Sequence, residues 1–146
     1  MKVRPAVIII EEDSILTMRY KYGEKEVFAL PGGNPDPDEC LPEALRRELM
    51  EELGVEVKVG EMALCGEVLW GETRKETLHM LFSAEVTLGR PVINPVETTA
   101  LEVVWLPFKE LENRLLYPNV GKDIKEYLRG NLKSAYVGVI DQPYAK

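Results

Sequence analysis

The chain has 146 residues, 45% of them hydrophobic and 29% charged, with a net charge of −7. That length and apolar share suit one folded domain over residues 1–146 and exclude a disordered or fibrous chain. The acidity, the absence of a basic stripe, two cysteines outside any CxxC pattern and a single histidine (His79) exclude a nucleic-acid groove, a disulfide framework and a zinc site of the usual ligand set.

Taken in order, Val3–Ile10 is a continuous β-branched run that suits a buried strand, with Pro5 near its start or on an edge. The same stretch is too short, and too interrupted by Arg4 and Pro5, for a signal peptide or a membrane span. A cytoplasmic protein with reduced thiols is therefore expected. Ser14–Tyr22 alternates as a second strand, and Val27–Leu30 is a third that delivers Pro31-Gly32-Gly33. A proline-rich acidic loop then runs into a helix with Pro42 in its first turn and Gly54 at its left-handed end. Val55–Trp70 and Arg74–Leu88 read as long strands, the first bent near Gly60 or Gly66. Gly89–Pro95 is loop, Leu101–Leu106 a short strand, Lys109–Leu115 and Val120–Leu128 helical, and Ser134–Ile140 a closing edge strand. This mixture predicts an α+β or α/β domain, a mixed sheet with helices on both faces.

The stretch Gly33–Val55 holds seven acids against Arg46 and Arg47, so most of the excess negative charge is local. At about 100° per residue, Glu48, Glu51 and Glu52 share one face, beside a Leu45, Leu49 and Leu53 stripe that faces a core. Acids at this spacing repel, and Glu51 and Glu52 lie at the negative end of the helix dipole. Three acids on a helix are by themselves most often a solvated face. A hard divalent cation, Mg²⁺ or Mn²⁺, resolves the conflict, because such ions take carboxylate oxygens from a rigid surface.

The spacing goes further. Gly33, Glu39, the triplet Arg47-Glu48-Leu49, the pair Glu51-Glu52 and Gly54-Val55 match at every specified position the motif that defines the Nudix hydrolase family, the Nudix box. The chain resembles that family specifically over Gly33–Val55 and more loosely from Pro5 to Leu111. Asp38 stands where the family usually has glycine, and Cys40 where it usually has serine at the helix start. The resemblance implies an α/β/α sandwich with a mixed sheet and a loop–helix–loop catalytic motif. It also implies hydrolysis of a nucleoside diphosphate linked to another moiety. By this resemblance Glu48, Glu52 and the Gly33 carbonyl bind Mg²⁺ (Mn²⁺ as the alternative ion), Glu51 is a further ligand or the carboxylate that fixes them, Arg47 orients the acids, and Glu39 orders the loop. Homodimers are common in the family.

The box leaves the general base open between Glu52 and the later Glu97 and Glu102. Candidate substrate contacts are Gly32 and Gly33 by close backbone approach, with Arg19, Tyr20, Trp70 and His79. Arg74 and Lys75 are further phosphate candidates. The expected partner is a small nucleotide. The short chain leans toward nucleoside triphosphates, cleaved to nucleoside monophosphate and pyrophosphate. The alternatives are a nucleotide-sugar or ADP-ribose-type pyrophosphatase, or a nucleotide-sensing domain without catalysis.

Overall fold

The structure, a computed structural model, describes residues 1–69 and 76–143. Strands β1 (Lys2–Glu11), β2 (Ser14–Tyr22) and β3 (Lys25–Ala29) precede helix α1 (Leu41–Leu53). Then come β4 (Glu56–Val68), β5 (Thr77–Leu88), β6 (Glu102–Pro107), β7 (Leu115–Tyr117), helix α2 (Gly121–Leu128) and β8 (Tyr136–Val139). The sheet runs β7-β3-β2-β1-β5-β4-β8, with β6 also on β2. β1 pairs parallel with β5, β3 with β7 and β4 with β8, and the other pairings are antiparallel, so the sheet is mixed as expected.

The sheet opens at β1. Its pairing with β5 runs from Lys2↔Thr77 to Ile9↔Ala84, whereas β2 meets it only at Ile10↔Ile15 and Glu11↔Ser14. Beyond that hairpin β2 takes β6 instead, from Ser14↔Pro107 to Arg19↔Glu102. The freed flank of β1 receives the loop after β3: Val7 N donates to Pro31 O (2.9 Å) and Gly33 N donates to Pro5 O (3.2 Å). This places Pro5. It lies inside a central strand, yet its missing N–H falls on the opened flank and costs no bond to β5.

The apolar run of β1 is continuous because both faces of the sheet are covered. Val7 and Ile9 join Leu16, Met18 and the Leu45, Leu49 and Leu53 stripe of α1. Ala6 and Ile8 join Ile15, Leu30, Leu81, Leu116 and Ile124 of α2 on the other face. α1 begins as its sequence requires. Pro42 stands in the first turn, and Cys40 N donates to the Glu43 carboxylate at 3.3 Å. It ends at Gly54, whose φ of 66° is left-handed and whose N–H returns to Met50 O. Leu49 is 1% exposed at the centre of this packing. Leu49→Ala is expected to cost about 2–5 kcal/mol, read as a lower urea midpoint with an unchanged slope.

The expected helix at Lys109–Leu115 is corrected. Only a 3₁₀ turn at Phe108–Glu110 forms, and Leu115–Tyr117 becomes strand β7 beside β3. The edge of β3 offers Leu115–Tyr117 a ladder, and Pro118 bars helical continuation. The final strand is at an edge as expected, paired to β4. β4 carries a register shift between Val59 and Met62, across Gly60. Among the described residues no helix is long and apolar enough to cross a membrane, and Cys40 and Cys65 are free thiols.

Candidate active site

Arg47 organises the acids of α1 and of the loop before it. Its Nε and Nη2 donate to the two oxygens of Glu39, at 2.8 and 2.9 Å, in a bidentate fork. Nη1 donates to Glu48 Oε1 (3.0 Å) and Glu51 Oε2 (3.2 Å), and Nη2 also reaches Asn34 O (3.1 Å). Asp36 closes the shell, with Oδ2 3.2 Å from Nε. The Arg47 hydrogen bonds hold Glu39 below the usual carboxylate range, and Glu39 in turn is the main reason the guanidinium stays firmly charged. Asp38 takes a φ of 66° in this loop, which glycine adopts freely and aspartate tolerates. The loop therefore delivers Glu39 to Arg47 without a glycine at that position.

Glu48 and Glu52 sit in a different environment. Burial raises the Glu48 carboxyl, against the pull of Arg47. Burial, then the charge of Glu48, pushes Glu52 up to about 7, with Glu48 also sharing a hydrogen bond with it. A Cβ on Gly33 would overlap the Glu48 carboxyl group, so a side chain there would push that carboxylate out of its place. Gly32 is the more strictly constrained of the two, since its Cβ would overlap the backbone of Pro5 and Ala6, which cannot move aside. Two carboxylates held this close repel, and a shared proton or a bound cation relieves that repulsion. Their hard oxygens match the ligand preference of a Mg²⁺-type ion. Among the described residues no three His, Cys, Asp or Glu side chains already converge as a cation cage. Arg47 holds one oxygen each of Glu48 and Glu51.

The C-terminal end of α1, where two acids oppose the helix dipole, is satisfied by the loop after β5. Val92 N donates to Leu53 O, Asn94 N to Glu52 O and Asn94 Nδ2 to Glu51 O. Donors from a distant segment thus fix the turn that carries Glu51 and Glu52.

Residues 1–128 match the family model described as NUDIX domain. The chain belongs to the NUDIX family. It is 31% identical over 112 residues to the NAD-capped RNA hydrolase NudC of Salmonella heidelberg, a match covering 75% of this chain and 41% of that protein. It thus spans well under half the length of that relative. It is 26% identical over 131 residues to a putative 8-oxo-dGTP diphosphatase of Bacillus subtilis, covering 89% of this chain and 83% of that one. Among solved structures, the MutT protein from Methanosarcina mazei superposes with a TM-score of 0.72 at 22% identity, over 90% of this chain and 96% of the other. That likeness carries the fold.

Within the NUDIX fold the remaining expected site residues divide. Glu102 lies on β6, where its Oε1 accepts from Arg19 Nε at 3.0 Å, and Arg19 also meets Glu26 at 3.2 Å. Arg19 and Glu102 therefore answer each other on an exposed rim rather than joining the acids of α1. Glu97 is exposed in the turn that Asn94 ties to the end of α1, its N–H donating to Asn94 O. Tyr20 is half-buried, bonds Thr98 Oγ1 through its hydroxyl (2.8 Å), and stacks on Tyr22. Trp70, with Arg74 and Lys75, lies outside the described residues.

His79 is 1% exposed on β5 and meets the Tyr117 ring edge-on at 5.2 Å. Burial first, then the charges of Arg4 and Lys2, lower its pKa to about 3, so it is neutral in the folded NUDIX domain. The folded pKa lies below the unfolded one, so its contribution to stability is present above about 6.5 and is lost as pH falls toward 3. Set against ring-conserving His79→Phe, wild type is expected to lose roughly 3 kcal/mol of relative stability between pH 6.5 and 4, read by urea unfolding at each pH. Parallel curves for the two proteins would show that His79 does not titrate on unfolding.

The sequence reading missed Arg4 and Tyr117. The Arg4 guanidinium lies 4.8 Å over the Tyr117 ring, and its charge reaches both Glu48 and Glu52. Nothing in the local pattern of a charged residue at a strand start distinguishes it. Only the pairing of β1 with β5 and β7's place beside β3 bring these groups together.

Proposed function

We propose that this chain is a divalent-metal-dependent NUDIX pyrophosphohydrolase. It hydrolyses a nucleoside diphosphate linked to a further group, and the leaning is toward nucleoside triphosphates cleaved to nucleoside monophosphate and pyrophosphate. The observation that carries the reading is the Glu48–Glu52 pair. Both carboxyls are half-buried, Glu48 lies against Gly33, and burial with the charge of Glu48 raises Glu52 to about 7. The Arg47 ion-pair shell supports the same reading, because it fixes acids that would otherwise repel.

In this reading Glu48, Glu51, Glu52 and the Gly33 carbonyl hold Mg²⁺ or Mn²⁺. Bound there, such an ion neutralises diphosphate charge and lowers the pKa of a coordinated water. The chain's own residues do the rest. Arg47, held by Glu39, keeps the carboxylates in one arrangement, and positioning supplies much of the rate in phosphoryl transfer. Proton acceptance falls to Glu52, or to Glu97 in the turn tied to the same helix end. Glu97→Gln separates the two, because only the second assignment makes its turnover fall by orders of magnitude. The Bacillus subtilis relative, a putative 8-oxo-dGTP diphosphatase aligned over 83% of its length, supports the triphosphate leaning.

The test is a product-resolved screen. Protein and Mg²⁺ are incubated with nucleoside triphosphates (oxidised and deoxy forms included), nucleotide sugars, ADP-ribose and dinucleoside polyphosphates, and products are weighed by mass spectrometry. Triphosphates giving monophosphate and pyrophosphate are the expected result. Turnover confined to nucleotide sugars or ADP-ribose would move the substrate class. No turnover, with nucleotide-dependent thermal stabilisation retained, would replace the enzyme by a sensing domain.

A further inference from the structure

Among the described residues, the buried side-chain nitrogens without a hydrogen-bond partner are Arg4 Nη1, His79 Nδ1 and Gln142 Nε2. Such groups are rare in folded proteins because burial without a partner forfeits hydration. Here they gather around one short segment. Arg4 lies over the face of Tyr117, and His79 meets the edge of the same ring with planes at 87°. Gln142, 2% exposed, accepts from Asn119 N through its other side-chain atom at 3.2 Å. Arg4 and His79 are register partners on β1 and β5, so their side chains leave the same face of the sheet. Arg4 is also close enough to the acids of α1 to favour their charged forms. Arg4 therefore links this cluster to the acid site.

We propose that Arg4 and His79, held in place by the Tyr117 ring, form the subsite for the substrate's nucleobase, and that they favour a base edge bearing a carbonyl oxygen over adenine. The inference rests on the nucleotide reading above. Arg4 offers donors only, so its orphaned N–H calls for an acceptor. Neutral His79 offers either a donor or an acceptor at Nδ1, according to its tautomer. Guanine, cytosine and uracil place a carbonyl next to a ring nitrogen, which satisfies both groups together. Adenine puts an amino donor where guanine has its carbonyl, leaving Arg4 opposed by hydrogen. A site built to bond a polar edge discriminates strongly, because the wrong partner leaves buried groups unpaired.

The test compares wild type, Arg4→Gln and His79→Phe. Wild type is expected to show a KM for GTP, CTP or UTP at least about 10-fold below that for ATP. Both variants raise that KM roughly 10-fold with a smaller change in kcat, and bring the preference over ATP toward unity. Arg4 is partly exposed, so Arg4→Gln carries the test alone if His79→Phe does not fold. An adenine preference in wild type, or a variant with a native circular dichroism spectrum that keeps the wild-type preference, overturns the subsite. The subsite is also read without turnover, from thermal stabilisation by free guanosine, cytidine, uridine and adenosine. Stabilisation by an oxo-base nucleoside above that by adenosine, lost in Arg4→Gln, supports it even if hydrolysis is absent. Equal shifts, or none, overturn it even if hydrolysis is present.

Discussion

Glu52→Gln is expected to lower Mg²⁺-dependent turnover by roughly 10³-fold or more while leaving the fold intact and the metal-free protein at least as stable at pH 8. The amide cannot carry the negative charge the cation needs, nor take a proton from water. The stability side follows from linkage. The folded Glu52 carboxyl is raised to about 7 from 4.5, so the native state binds its proton more tightly than the unfolded chain does. Its stabilising share is complete below about 4.5 and is lost as pH rises through about 7. At pH 8 the ionised carboxylate is therefore a burden that glutamine removes, worth about 1–2 kcal/mol after allowing for solvent screening at this half-buried position. Mg²⁺ reverses the order, because it stabilises wild type by mass action and finds a weakened site in the variant. Thermal melts at pH 8, with and without Mg²⁺, read all of this. A variant with near wild-type turnover would remove Glu52 from the site.

Arg47→Lys is expected to lose on the order of 10²-fold in turnover, although the charge is kept. One ammonium cannot reproduce the fork to both oxygens of Glu39 while also bonding Glu48 and Glu51. The loss should appear in kcat more than in KM, since Arg47 acts by placing the acids. Raising Mg²⁺ should restore part of it if the variant merely weakens metal affinity. A lysine variant with wild-type kcat would reduce the guanidinium to a surface charge.

Much of the site was legible along the chain because its parts lie within one loop and one helix. Glu48, Glu51 and Glu52 share a face by helical period alone, and the Leu45, Leu49 and Leu53 stripe sits beside them and is buried. Pro42 and Gly54 mark the helix ends where the structure has them. Legibility stops where contacts are long-range. Arg19 and Glu102 looked like separate candidates for phosphate and base, but antiparallel pairing of β2 and β6 sets them opposite each other, where they form an ion pair. The segment Lys109–Leu115 has a helical composition, yet the unpaired edge of β3 draws Leu115–Tyr117 into a strand.

The sequence alone determined the family motif, the acids that repel one another, the helix that displays them and the faces that must be buried. These depend on spacings within a few turns of backbone, which local geometry fixes. Only the tertiary structure decided how far burial raises Glu52, why Gly32 cannot carry a side chain, and that Asn94 supports the carbonyls of Glu51 and Glu52. It alone brought Arg4, His79 and Tyr117 together. Desolvation and unpaired donors depend on what surrounds a group in space, and those neighbours come from strands as far apart in the chain as those of Arg4 and Tyr117, which no local spacing records.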